Sequence, residues 1–357
     1  MKKLYRYITV AMFALAAAAC TKEEFAPATE NVEILDEDQI VVSASLPVDT
    51  KISYTMDVDN KLIKTAWEEG DKFYFFSTWS TNGYEFTQTG DISEDGKFTN
   101  FTASTTALNR VSANAGLLFT YPTVYKNNNS GGLRIDTACD GTLENALQSD
   151  YMYGFVKADA QKNIPNIEFT RLASFFEIKD LDFGAGVNGT VKTIYLNCPT
   201  VGWKVMFDTS TGVPSYYQDS KIVCTPTEWT VTNGKPDKTD PLYMAFFPLP
   251  SAEKGDDVTL TFLMTDGSTY VKSWKTSSAY TGGNMYQVTG KVEKPVTFNI
   301  QFEDPVVKEI LVGKNNFYGN DLNGDGELSN IEASLLTSLN WMFYKNTTIQ
   351  KFNEFVY

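Results

Sequence analysis

The chain has 357 residues, 42% hydrophobic and 21% charged, enough for a packed core over two or three domains and too apolar for a mainly disordered state. It contains no histidine, which removes Ser-His-Asp and Cys-His nucleophilic sites and His-ligated zinc in one step. A formal net charge of −14 makes it a poor electrostatic partner for nucleic acid or an anionic membrane. Aromatics reach 14%, with 24 Phe and 19 Tyr, a composition that leans towards strands.

Residues 1–19 read as a signal peptide. Lys2, Lys3 and Arg6 form a positive region, and an apolar stretch from Ile8 to Ala19 follows that is too short to span a bilayer comfortably. The small residues before Cys20 resemble a bacterial lipobox, with Ala17 where Leu is usual and Leu15 two places earlier. Cys20 is therefore expected to be the lipidated first residue of the mature chain; the plainer alternative is an ordinary secretory signal. Thr21, Lys22, Glu23 and Glu24 look like the acidic signal that accompanies export of Bacteroidetes lipoproteins to the outer leaflet. That implies a surface-exposed lipoprotein held to the outer membrane by its N-terminal lipid. Removing Lys2, Lys3 and Arg6 takes the formal charge from −14 to −17.

Residues 20–38 are polar and acidic and read as a tether. From Gln39 short strand-like runs take over, among them QIVVSASL, KISYT, KFYFFST and GLLFTY, separated by Gly, Asn, Asp and Ser clusters. FFEIKDL, VKTIYL, WKVMF, KIVCT, LYMAFFPL, VTLTFLM, TYVKSW and MYQVTGKV continue the pattern. Strands at about 10-residue spacing predict an all-β fold of β-sandwiches. A region this long is large for one sandwich, so an N-terminal sandwich over 39–160 and a second over 161–293 are expected, with the break in the polar, Pro165-containing ADAQKNIPN stretch. No useful helical period precedes residue 300.

Residues 294–357 change character. Asp304-Pro305 starts a helix, Val306, Val307, Ile310 and Leu311 share one face, and Gly313 ends it. A second helix is predicted from Ser329, with Ile331, Leu335, Leu339 and Met342 at three- and four-residue spacing. Between them, DLNGDGELSNIE over 321–332 matches an EF-hand loop. Asp321 falls at position 1, Asn323 at 3, Asp325 at 5, Glu327 at 7 through its carbonyl, Ser329 at 9 through water and Glu332 at 12 as the bidentate ligand. Gly326 supplies the sharp turn and Leu328 the apolar residue beneath the loop. Hard oxygen donors on a tight turn suit Ca²⁺, and a lone hand would be weak. The competing reading is an Asx-rich turn followed by a capping box, Ser329 with Glu332, which needs no metal.

Several stretches resemble the fimbrillin-like family of Bacteroidetes, which includes type V pilus subunits. Thr50-Lys51 with Ile52-Ser53-Tyr54, Trp67-Glu68-Glu69-Gly70-Asp71 before KFYFFS, Phe169 with LASFFEIKDL, LYMAFFPLP from Leu242 and the closing GGNMYQVTGKV carry the resemblance, over about residues 35–293. It implies two transthyretin-like β-sandwich domains in tandem and a non-enzymatic role in adhesion or pilus assembly, as an accessory, anchor or tip component. Other pilins, or a host surface protein or glycan, are the implied partners. The small helix–loop–helix segment is similar instead to the linker before leucine-rich repeats in BspA-like surface proteins, through Asn346-Thr347-Thr348-Ile349 and Phe352-Asn353-Glu354-Phe355. A BspA-like adhesin stalk, with its leucine-rich repeats missing from residues 1–357, is thus an alternative. A glycan-binding or hydrolytic lipoprotein is a third.

The remaining signals are modest. Trp67 is expected to pack at the base of a Gly70-Asp71 turn, and Trp203, Trp229 and Trp274 are expected to serve packing too. Cys139, Cys198 and Cys224 form no CxxC pair and read as free thiols, with a Cys198–Cys224 bridge left open. Asp136-Thr137-Ala138 matches a short Bacteroidetes O-glycosylation acceptor. Arginine occurs only at positions 6, 110, 134 and 171, so an Arg-specific cut has no site between Cys20 and Arg110. No P-loop, GxSxG or GxGxxG appears, and neither a catalytic residue nor a cofactor other than Ca²⁺ is expected.

Overall fold

A computed structural model of the chain describes residues 39–46, 55–57, 62–64, 66–76, 83–104, 109, 111–121, 132–136, 139–218, 222–313, 320–336, 339, 343 and 347–349. The all-β expectation holds: five sheets carry the fold, with three short helices among the described residues. The signal peptide, Cys20, the tether and the 50–54 stretch lie outside the described residues.

The first sheet has eight strands, in the order Ile167–Glu168, Gln39–Ser45, Phe98–Ser104, Tyr84–Gln88, Lys72–Phe76, Gly116–Tyr121, Met152–Lys157 and Thr170–Arg171. Its first and last members are consecutive in sequence. Ala44 and Ser45 pair in parallel with Ile167 and Glu168, while Thr170 and Arg171 pair antiparallel with Tyr153 and Met152. The Phe169 amide donates to Ser45 O at 3.0 Å and the Leu172 amide to Tyr151 O at 2.9 Å. One five-residue stretch thus bonds to an end of each edge strand and joins the two edges of the sheet into a barrel. Alternation sends Phe73, Phe75, Phe86, Phe101 and Phe119 inward, where they join Trp67 and Phe169 in an aromatic core. Trp67 meets Phe101, Tyr121 and Phe169 edge-on, at ring separations of 4.8, 5.5 and 5.7 Å.

The outer wall of this barrel is not all left to water. Phe76, Leu118 and Tyr153 face a second core with Phe175, Tyr243, Ala245, Phe247 and Met285. These last five belong to a four-stranded sheet ordered Val201–Gly202, Leu242–Pro248, Ser174–Asp182 and Met285–Lys291. The opposite face of the same sheet presents Phe176, Ile178, Leu242, Met244, Phe246 and Val288 to a third core. The six-stranded sheet closes that core with Val191, Ile194, Leu196, Leu260 and Phe262 from Gly189–Asn197 and Asp257–Met264. Leu242–Pro248 is accordingly buried at all seven positions, which is why LYMAFFP is a continuous apolar run rather than an alternating one.

The first half of the sequence also reaches into the second. Gly132–Asp136 pairs with Lys204–Asp208, Gly141 bridges Tyr243, and the helix Leu143–Leu147 packs near Leu242–Pro248. That helix was not expected from sequence. Five residues give no measurable period, and only its Thr142 N-cap, whose hydroxyl accepts from Asn145 N at 3.2 Å, marks it.

The first C-terminal helix spans Pro305–Val312, capped by Asp304 and ended by Gly313 at φ 61°, as its sequence signals predict. The second covers only Asn330–Ser334. Leu335, expected to continue it, instead packs with Tyr195 and Leu263 on the outside of the six-stranded sheet, and the Asn197 side chain donates to Ser334 O. Residues 352–355, which carry part of the BspA-like resemblance, lie outside the described residues.

Candidate functional site

The loop over 321–332 is the one stretch whose residue types point to ion chemistry. Its curl is built from the side chains that would be ligands. The Asp321 carboxylate accepts from the amides of Gly324, Asp325 and Gly326 at 2.7, 3.1 and 2.8 Å. Asn323 Oδ1 accepts from Asp325 N, and Asp325 Oδ1 from Glu327 N. Gly324 and Gly326 take φ of 81° and 83°, a region a Cβ would disfavour. Leu328 is fully buried beside Val307 and Leu311, and its carbonyl accepts from Ile300 N at 2.8 Å. Residues 299–300 therefore pair with the end of the loop and hold it against the core.

Glu332 closes the arrangement. It is 3% exposed. Its Oε1 accepts from the amides of Leu322 and Asn323, and its Oε2 from the amide and hydroxyl of Ser329, which in turn accepts from Glu332 N. The capping box is thus complete, and the same carboxylate ties the loop's start to the helix that leaves it. Glu327 directs its side chain to Lys308 on the preceding helix, leaving its carbonyl as the atom an ion would use. All the donors are hard oxygens, as Ca²⁺ takes. Among the described residues, however, no group of three or more Cys, Asp or Glu side chains is assembled to hold a metal ion. Hydrogen bonds bring Asp321, Asn323 and Asp325 together, while the Glu332 carboxylate is taken up by the amides of Leu322 and Asn323 and by Ser329.

Elsewhere, the WEEGD stretch is a tight turn. Asp71 accepts from Glu68 N at 2.7 Å and from the Tyr121 hydroxyl at 3.1 Å, while burial pushes its carboxyl up. Trp67, 2% exposed, lies in the barrel core below it. Trp229 is buried, and Trp203 and Trp274 pack against the third core, the Trp274 indole donating to the Tyr280 hydroxyl.

Two buried pairings could not be read from sequence. Arg171, on the barrel's closing strand, makes an ion pair with Asp150, both nearly inaccessible. Burial pushes the Asp150 carboxyl up against the opposing pull of that guanidinium. The second concerns the cysteines. Register places Ile194 opposite Cys224 and Leu196 opposite Ile222, so Cys198 lies four residues beyond Cys224's partner, roughly 13 Å along the strand. A Cys198–Cys224 bridge is excluded on that geometry. Cys198 contacts Thr200 instead. The neighbour of Cys224 is Cys139: the Cys139 carbonyl accepts from Thr225 N at 3.2 Å, its thiol donates to Tyr243 O at 3.0 Å, and its closeness, followed by burial, pushes the Cys224 thiol up.

No family model matches the chain, and no curated protein matches it. Among solved structures it is similar to a candidate cell adhesion protein from Bacteroides ovatus, at 11% identity and TM-score 0.36, covering 74% of this chain and 98% of that one. A candidate adhesin from the same organism gives 11% identity and TM-score 0.37, with 74% and 94% covered. A fimbrial assembly protein from Parabacteroides distasonis gives 7% and 0.31, with 70% and 90% covered. Likeness at this level defines neither a shared fold nor a shared activity. Among the described residues no helix is long and apolar enough to cross a membrane.

Proposed function

We propose that this chain is a non-enzymatic, lipid-anchored protein of the bacterial outer-membrane surface, acting in cell adhesion or pilus assembly as an accessory, anchor or tip component. The observation that supports it is where the fimbrillin-like stretches fall. The 67–71 turn caps the barrel core, Phe169 lies between its two closing strands, and 174–182, 242–248 and 285–291 belong to the sheet shared by two cores. These residues are spent on framework contacts, as expected of a display scaffold. Anchoring rests on Cys20. The substitution Cys20→Ala should abolish acylation and move the protein out of the membrane fraction, and whole-cell antibody labelling should be lost with it. Retention of an acylated, membrane-bound form would show that the N-terminus had been misread. Loss of labelling without any change in adhesion or piliation on deleting the gene would leave the address intact and reject the role.

The anchored reading also predicts an uncut N-terminus. Arg171, on the barrel's closing strand, is buried in its ion pair, and no arginine lies between Cys20 and Arg110. N-terminal sequencing of native protein should start at Cys20; a start inside residues 30–60 would favour a polymerising shaft subunit.

A weak Ca²⁺ site is proposed for the 321–332 loop, held by Asp321, Asn323, Asp325, the Glu327 carbonyl, Ser329 through water, and Glu332. The Asp321–Gly326 curl supports it, and Glu332 would have to exchange its amide partners for the ion. Millimolar Ca²⁺ should then slow hydrogen exchange over roughly 315–340 and leave 40–290 unchanged, an effect that Glu332→Gln removes. Unchanged exchange at several millimolar reduces the loop to a turn and a cap.

A further inference from the structure

We propose that Cys139 and Cys224 form a disulfide, stapling the segment that crosses over from the first half of the sequence onto the third core. The two residues come from stretches far apart in sequence, yet the backbones run side by side: the Thr225 amide donates to Cys139 O at 3.2 Å. Adjacent backbones of this kind give the short Cα separation, about 4.4–6.8 Å, that a disulfide requires. The Cys139 thiol is near enough to Cys224 to push that thiol up, ahead of the effect of burial. Cys139 also donates to Tyr243 O at 3.0 Å, the residue that Gly141 bridges, so its position is fixed from two sides. Cys198 has no part in this, being held at Thr200 on another stretch of the core.

Accessibility sets the order of the chemistry. Cys139 is half-buried, and Cys224 is inaccessible. The oxidant is a disulfide, either of a thiol oxidase or of a small-molecule carrier. The Cys139 thiolate attacks one sulfur of that disulfide and expels the other as a thiolate, leaving a mixed disulfide on Cys139. Cys224, losing its proton, then attacks the Cys139 sulfur and expels the second thiolate. One external disulfide is reduced to two thiols, and two protein thiols are oxidised to one cystine. In the cell the reaction needs the oxidising compartment that export supplies; in the tube it does not, so the chemistry can be tested apart from the reading of the N-terminus.

The full chain carrying Cys20→Ala is incubated natively with oxidised glutathione, alkylated and mapped by mass spectrometry. The expected product has one peptide pair joined through Cys139 and Cys224, a single alkylated thiol at Cys198, and a mass lower by two hydrogens. Cys139→Ser should leave Cys198 and Cys224 both free to alkylate once the chain is unfolded. It should also leave the fold intact, as judged by circular dichroism. Reducing the linked protein should lower its melting temperature by roughly 5–10 °C, a change that the Cys139→Ser protein does not show. Three free thiols after prolonged oxidation, or any cross-link through Cys198, overturns the proposal.

Discussion

The barrel and the four-stranded sheet bury similar side chains in opposite ways. In the barrel most strands hide one face, so Lys72–Phe76 alternates as far as Phe75, and outward-facing side chains such as Phe76 and Leu118 are buried only where the second core covers them. In Leu242–Pro248 both faces are covered, and no alternation is left. The lesson is one of dependence. The barrel meets its edges with its own residues 167–171, whereas the four-stranded sheet is the common wall of two cores and cannot lose a side chain without exposing a neighbour on one side or the other.

That contrast can be broken by truncation. Phe86→Ala, inside the barrel, and Phe247→Ala, on the shared sheet, each remove a fully buried ring and should each cost about 3–5 kcal/mol. Their reach should differ. Hydrogen exchange in Phe86→Ala should accelerate mainly in Phe98–Ser104 and its barrel neighbours, and in Phe247→Ala also in Ser174–Asp182 and Met285–Lys291. Equal acceleration everywhere in both would mean that the two regions unfold as one and that the distinction has no energetic content.

A similar loss should follow from Arg171→Met, because it leaves the Asp150 carboxylate buried without its counter-ion, at a cost of about 3–5 kcal/mol. Adding Asp150→Leu should recover much of it. Denaturant midpoints of the two single variants and the double variant give the coupling; strict additivity would show the pair to be incidental to barrel closure.

Smaller still is the cap of the last helix. Ser329→Ala removes a hydroxyl that accepts from Glu332 N and should cost about 1 kcal/mol, visible as faster exchange in residues 322–336 only. The smallest effect is electrostatic. Hydrogen bonds from Lys72, then Tyr74, hold the Glu85 carboxyl below its usual value on the exposed barrel wall. A lowered folded value contributes stability above the unfolded glutamate value, about 4.3, and that contribution is lost as pH falls through the folded one. Wild type should therefore exceed Glu85→Gln slightly in melting temperature at pH 7, less so in high salt, with the gap closing in acid. A gap that persists at pH 3 would point to packing rather than charge.

Much of this architecture was legible beforehand, for reasons that individual residues make plain. Asp304-Pro305 and Gly313 bound a helix because cap chemistry is local, and the Ser329–Glu332 box was readable for the same reason. The turn under Trp67 likewise follows from Gly70 and Asp71. What could not be read is what depends on distant partners. Nothing in residues 167–171 says that they join both edges of one sheet. Asp150 and Arg171 are twenty-one residues apart and meet only because the barrel closes. Cys139, Cys198 and Cys224 read as free thiols, as they are here, but the open question of a Cys198–Cys224 bridge could not be closed from sequence; register, which sequence does not specify for unseen neighbours, separates that pair and puts Cys139 beside Cys224. The loop's six oxygen donors were identifiable by spacing, but not the fact that Glu332 is bonded to Leu322, Asn323 and Ser329.

The parallel pairing of Ser174–Asp182 with Met285–Lys291 has a consequence in time. The strand at the middle of the molecule acquires its last neighbour only when residue 291 is present, more than a hundred residues later. As the chain appears N-terminus first during synthesis, the strands up to Lys157 can pair early, and 167–171 can close the barrel shortly afterwards. Phe76, Leu118 and Phe175 must then wait, wet, for the sheet that covers them. Long loops of this kind are slow to close, and half-finished walls of Phe and Tyr are adhesive. Refolding of the whole chain should accordingly be slow for its size, with the barrel protected first. The interval between barrel closure and arrival of residue 291 is when the chain is most exposed to aggregation.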